Sequence, residues 1–280
     1  MISVFLPSFP FRGVKAPYLW FFYRVLTSIK EPVHFIMGEA YLSSSDSWKN
    51  DERWEITDEA QKRLGYQLPD LAQMKEHKVS LIDESFLYDC MKQYHGNPDL
   101  LFKAFITEEI PALVQEIDSV LEKAEGLECV LTWCNCPSLN KAASERNIRV
   151  VNLELGPLRP LDYLATAYFD FSGVNGNTEA EQRYLLAKDA ELTLSEVFNA
   201  EQLRSFFANA PVRKLTDAEY DVGIVLQVEN DSNILAFSNT FDNQSLLDYA
   251  DYHNLGRKLI RSHPGSRFSL NKCMDSIDHS

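Results

Sequence analysis

Long apolar runs are missing from this 280-residue chain: no stretch approaches the roughly 20 residues that a membrane-spanning helix needs. The opening Met1-Ile-Ser-Val-Phe-Leu6 is too short for a secretory leader, has no basic start and meets prolines at once. The expectation is a cytoplasmic protein. Cysteine is scarce, and its odd count of five offers no even disulfide framework, which agrees with a reducing compartment. Cys134-Asn-Cys136 invites a metal reading, yet no second pair or nearby histidine completes a tetrahedral set, so plain thiols and no metal are expected. Basic residues are also in deficit, 27 Lys and Arg against 41 Asp and Glu, for a formal net charge of -14. Without a Lys/Arg cluster the chain lacks what binding to phosphate backbones requires, which excludes a nucleic-acid binder. A locally basic cleft is still compatible with that acidity. No internal repeat, low-complexity tract or basic amphipathic helix appears.

What is present is ordinary globular material, 45% hydrophobic and 24% charged, enough to build a core in one large or two moderate domains. Ile2–Leu6 and Val33–Met37 read as buried strands around a helix from Ala16-Pro17 to about Lys30, with Pro17 suited to a first helical turn. His34 alternates with apolar neighbours and is expected to be a satisfied core histidine. Residues 43–55 read as a polar loop in which Trp48 and Trp54 either form a sugar platform or pack beneath the loop. Val79–Ile82 is a third strand. Two helices follow over Glu84–Tyr94 and Asp99–Ala124, the second broken near Pro111. Ile110, Leu113, Val114, Ile117 and Leu121 recur at helical spacing and are expected core.

The clearest unit is Cys129–Trp133 as strand, Pro137–Arg146 as helix and Arg149–Leu153 as strand, a short right-handed crossover. Ala142, Ala143 and Ser144 allow that helix to lie close on the sheet. Thr132–Asn135 and Asn152–Arg159 should then meet at one sheet edge. Tyr163–Phe171 reads as a further strand before the turn Gly173–Asn177, with helices over Thr178–Ala187 and Leu194–Asn209. Pro211 and Lys214 mark a boundary, so residues 1–212 and 213–280 are expected to be separate α/β units. The second opens with the strand Asp221–Leu226, then a helix from about Gln244 to Leu255 and the strand Lys258–Arg261.

Strand ends that hand off to polar loops are where open α/β sheets bind ligands. Three such ends carry reactive side chains. Glu154 lies in Leu153-Glu-Leu-Gly-Pro-Leu-Arg-Pro160, where it reads either as a proton-transfer group or as a loop glutamate paired with Arg159. Asp231 follows the strand in Gln227-Val-Glu-Asn-Asp-Ser-Asn233 and suits a carboxylate nucleophile, although the same residues also make an Asx turn. Retaining glycosyl transfer uses one carboxylate to attack the anomeric carbon and a second to activate the incoming hydroxyl, and Glu154 and Asp231 supply such a pair. Finally, Arg261-Ser-His-Pro264 combines arginine, hydroxyl and imidazole in a manner suited to a leaving phosphate.

Taken together, Leu153–Pro160, Tyr163–Tyr168, Gln227–Asn233 and Ser262–Pro264 resemble the bacterial retaining β-Kdo glycosyltransferases, nearest the branch that caps an O-antigen with β-Kdo. The resemblance implies a GT-B-like pair of Rossmann-type lobes and no metal or other cofactor; the second lobe of this chain is expected to be short or truncated by comparison. It implies CMP-β-Kdo as donor and a lipid-linked polysaccharide as acceptor, at the inner face of the inner membrane with peripheral association. By the same resemblance Asp231 corresponds to the nucleophile, Glu154 to the acid/base, and His263 with Ser262 to the His-Pro element that holds the CMP phosphate. Gln227 would orient donor or nucleophile, and Arg261, Arg159 and Asn233 would complete the donor-binding set. Capsule relatives usually read Gln-Val-Glu-Asp-Asp, so Asn230 here replaces an acid. An inverting CMP-sugar transferase and a non-catalytic glycan-binding module are the rival functions.

Overall fold

A computed structural model describes residues 1–7, 17–42, 70–156, 167–188, 220–263 and 268. The chain divides into two compact units, Met1–Ala210 and Pro211–Ser280. The α/β class read from the sequence is the class observed.

In the first unit β1 (Ile2–Phe5), β2 (His34–Met37), β3 (Lys78–Leu81), β4 (Cys129–Trp133) and β5 (Arg149–Leu155) run parallel, and β6 (Ala167–Asp170) pairs antiparallel with β5. Their order, β3-β2-β1-β4-β5-β6, is that of a doubly wound sheet whose direction of winding reverses between β1 and β4. A parallel strand covered on both faces needs a largely apolar run, and the central strands have one apart from Ser3, His34 and Thr132, which are buried. Val4, Phe5, Phe35, Ile36 and Met37 are all fully buried.

Helix α1 (Pro17–Ser28) carries the β1–β2 crossover. Then come α2 (Phe86–Gln93), α3 (Pro98–Thr107), α4 (Pro111–Glu122), α5 (Pro137–Ser144) and α6 (Ala180–Ala187). Proline opens α3, α4 and α5 at positions whose N–H has no helical acceptor, which is why the predicted long helix divides at Pro111. Two core expectations need correction. On α4 the buried face is Leu113, Ile117, Val120 and Leu121, whereas Val114 lies one residue round the turn and is only half-buried. On α5 Ala142 and Ala143 are fully buried, but Ser144 turns outward and donates to the Lys141 carbonyl at 2.9 Å. The helix predicted over Leu194–Asn209 and the loop with Trp48 and Trp54 lie outside the described residues.

His34 is the satisfied core histidine that its apolar neighbours implied. Its ring lies between the hydroxyls of Ser3, 3.1 Å from Nδ1, and Ser80, 2.8 Å from Nε2. Burial, with the charge of Lys78 adding, lowers its pKa to about 4. Its value in an unfolded chain is near 6.5, so above that pH both states are neutral and the site is silent. As pH falls through 6.5 the unfolded chain takes up a proton that the folded one refuses, and stability is lost until the folded value is reached. Between pH 7 and 5.5 this site should cost about 1.2 kcal/mol. Denaturant unfolding at the two pH values checks it: the loss should shrink by that amount in His34→Gln.

In the second unit β7 (Val222–Val225) and β8 (Lys258–Arg261) pair in parallel, joined by α7 (Asn243–Tyr252). Ile224, Leu226, Leu247 and Ala250 form its core, with Val222, Leu246 and Ile260 packed against them. Gly256, at φ +78°, makes the turn into β8; a side chain there would run into Asp221, whose Oδ2 accepts the Arg257 amide at 2.8 Å.

Candidate active site

The loop that carries Asp231 is shaped by one buried asparagine. Past the end of β7, the Gln227 N–H donates to Asn243 Oδ1 at 2.9 Å and the Gln227 carbonyl accepts from Asn243 Nδ2 at 2.7 Å. A side-chain amide thus stands in for a neighbouring strand and continues the ladder by one residue. The Gln227 side chain folds back so that Oε1 accepts the Val228 amide at 3.0 Å, and Asp231 N–H closes a turn onto the Val228 carbonyl at 3.0 Å. Asn243 opens α7 and is 6% exposed. Nothing in the sequence singled it out, because its partner is backbone sixteen residues away.

At the far side of this turn the half-buried Asp231 starts a short helical segment, Asn233–Phe237. Oδ1 accepts from the Asn233 backbone N–H at 2.8 Å and from Asn233 Nδ2 at 3.1 Å. This is the Asx turn that the sequence allowed. It engages one oxygen; among the described residues Oδ2 takes no hydrogen bond. The carboxylate is therefore anchored by one atom with the other held in a defined direction.

The second strand end meets the first. Val225 and Arg261 are register partners, and the Leu226 N–H donates to the Arg261 carbonyl at 2.9 Å. Gln227–Asn233 and Arg261–His263 therefore emerge from the same carboxyl edge of one parallel pair. Arg261, Ser262 and His263 are exposed there. Of the predicted residues this unit thus brings together Gln227, Asp231, Asn233, Arg261, Ser262 and His263.

Glu154 belongs to the first unit. The sequence ended its strand at Leu153, but β5 runs on to Leu155 because antiparallel β6 supplies hydrogen-bond partners, and Glu154 stands opposite Tyr168 in that ladder. It is half-buried, with Oε1 accepting the Leu155 amide at 2.8 Å. Arg159 lies outside the described residues, so the proposed pair with it is not placed. The expected meeting of the β4 and β5 ends does occur: Trp133 partners Leu153, and Cys134 N–H donates to the Leu153 carbonyl at 2.8 Å.

A second asparagine clamp builds this edge. Asn135, 3% exposed, donates to the Val174 carbonyl at 2.9 Å and accepts the Val174 N–H at 2.7 Å, fastening the loop after β6 over the end of β4. The buried Asp170 at the end of β6 pairs with Arg183 of α6 and accepts the Ser172 N–H at 2.9 Å. Burial pushes this carboxyl up, but the Ser172 and Arg183 bonds outweigh it and hold the pKa below the usual carboxylate range. Sequence reasoning passed over Asp170, whose partner is on another element. Where the winding reverses, the Tyr41 hydroxyl donates to the Pro7 carbonyl at 2.7 Å. Burial, then Glu84, then Cys134 push the Tyr41 phenol well above its ordinary value. Among the described residues no group of three or more His, Cys, Asp or Glu is placed to hold a metal ion, and no helix is long and apolar enough to cross a membrane.

The family described as "Glycosyltransferase 99 family N-terminal domain" matches residues 4–179. Among solved structures, the β-Kdo 2,7-transferase KpsC of Thermosulfurimonas dismutans is similar at 17% identity and a TM-score of 0.41, covering 69% of this chain. The match spans 62% of that structure's own length. No curated protein matches the chain.

Proposed function

We propose that this chain, which belongs to the glycosyltransferase 99 family, is a retaining β-Kdo transferase that moves Kdo from CMP-β-Kdo to a sugar hydroxyl of a bacterial surface polysaccharide, as the terminating step of an O-antigen. The observation that carries the reading is the carboxylate of Asp231, anchored through Oδ1 by Asn233 and with no hydrogen bond to Oδ2 among the described residues, on a strand edge shared with Arg261, Ser262 and His263. A nucleophile needs one oxygen fixed in direction, and a departing phosphate needs cationic and hydrogen-bonding groups beside it.

In the first half-reaction Asp231 attacks C2 of Kdo. The carbon–oxygen bond to CMP breaks, and CMP leaves as an anion whose charge Arg261 offsets, with His263 and Ser262 donating hydrogen bonds to its phosphate. In the second, Glu154 takes the proton of the acceptor hydroxyl, whose oxygen displaces Asp231 from C2. Two inversions restore the β configuration. Gln227, its backbone fixed by Asn243 and its side chain to Val228, positions the nucleophile's turn. Asn233 orients Asp231, and Arg159 belongs to the donor-binding set. In this reading residues 1–212 belong to the acceptor-side lobe of a GT-B arrangement and residues 213–280 to the nucleotide-sugar lobe. No metal ion or other cofactor takes part, and the acceptor is lipid-linked at the cytoplasmic face of the inner membrane, which the enzyme meets peripherally.

Product stereochemistry is the test. NMR of the transfer product should show the β anomer with one CMP released per Kdo transferred. An α product assigns the inverting mechanism, and acceptor binding without CMP release assigns a glycan-binding module.

A further inference from the structure

Beside the point where the winding of the first unit reverses, the carboxyl ends of β2 and β3 open into a groove of about 810 Å³. Its floor is apolar, with Leu87 and Met91 of α2. On the same helix Tyr88 lines the groove with 77% of its surface exposed. The rim is acidic. Glu39 follows β2, and Asp83 and Glu84 follow β3. Hydrogen bonds from Ser85 hold Asp83 below the usual carboxylate range, so it is charged at neutral pH. Glu84 is set by Gly38, which leaves the space its carboxyl group fills, with Oε1 buried; a side chain at Gly38 would collide with it. Glu39 and Asp83 are then the carboxylates that face a ligand, and among the described residues no three acidic groups are placed to hold a metal ion.

The chemistry of this lining selects its occupant. An apolar floor and an exposed tyrosine face take the C–H face of a sugar ring, while carboxylates accept hydrogen bonds from hydroxyl groups and repel phosphate or carboxylate. The groove therefore disfavours the anionic nucleotide-sugar donor and suits an uncharged glycan. Its place gives a length. Along the sheet β2 is three strand spacings from β5, which carries Glu154, roughly 14 Å at the usual interstrand distance. A single sugar ring does not reach from one to the other along that edge.

We infer that this groove is an acceptor subsite for a neutral oligosaccharide, gripping sugars several residues back from the hydroxyl that is glycosylated. The inference rests on the transferase reading for the word acceptor. Saturation-transfer NMR on the full chain tests it, with neutral hexose oligomers of one to five residues and uronic-acid oligomers of the same lengths as probes. Neutral oligomers should bind and uronic-acid ones should not, and Tyr88→Ala should weaken binding roughly five- to tenfold. Glu39→Gln should admit uronic-acid oligomers that the unmodified protein excludes. Binding by no neutral oligomer, equal binding of anionic ones, or binding unchanged in both variants would overturn the proposal. Formation of a donor adduct on Asp231 needs no acceptor, so failure of the transferase reading is seen separately.

Discussion

Incubated with CMP-Kdo generated in place, the protein should gain the mass of one Kdo, and Asp231→Ala should abolish that gain. The expectation follows from the local geometry. The Asx turn ties Oδ1 to Asn233 at 2.8 and 3.1 Å, and the turn itself hangs from Gln227, whose backbone is held on both sides by Asn243. Removing the carboxylate removes the covalent intermediate, and losing a nucleophile costs about 10⁴-fold or more in kcat. Asp231→Asn is the sharper variant. It keeps the hydrogen bonds to Asn233 and so the turn, while losing nucleophilicity. If Asp231→Asn still forms the adduct, Asp231 is a capping residue and the nucleophile lies elsewhere. If the unmodified protein forms no adduct yet transfers sugar with inversion, double displacement is wrong.

The second large effect separates the half-reactions. Glu154→Gln should leave adduct formation intact and slow transfer to acceptor by about 10²–10⁴-fold, because general-base help is lost only in the second step. The adduct should then accumulate in the variant, where in the unmodified enzyme acceptor discharges it. Intact-mass spectra recorded with and without acceptor read this directly. A Glu154→Gln protein that neither loads nor transfers would mean that the side chain serves the β5–β6 ladder, where it stands opposite Tyr168. Thermal unfolding of the variant distinguishes that outcome from a catalytic one.

Much of the scaffold was legible in the sequence, for a physical reason: the signals were local. Apolar runs marked β1, β2 and β4, prolines marked the starts of α1, α4 and α5, and the alternation around His34 marked a core imidazole. The two strand ends after Leu226 and Arg261 were legible for the same reason, as apolar strands that hand off to polar residues. Where the sequence reading slipped, a partner distant in the chain was responsible. Glu154 moved inside β5 because β6 pairs there, and Val114 and Ser144 left the core because their helices are seated by neighbours that periodicity does not name.

Side chains whose only role is to complete another segment's backbone were invisible for that reason too. Asn243 completes Gln227, Asn135 completes Val174, and Asp170 finds Arg183, each across a span of chain that no local pattern encodes. The sequence by itself determined the α/β class, the apolar strands and the reactive residue types at their ends, since hydrophobic period and turn chemistry act over a few residues. Only the tertiary structure decided the strand order, the register that puts Arg261 beside Val225, the oxygen by which Asp231 is anchored and the groove beneath Tyr88. Those depend on which backbone hydrogen-bonding groups find each other once the chain has closed on itself, and burial forces that pairing to completion wherever it is made.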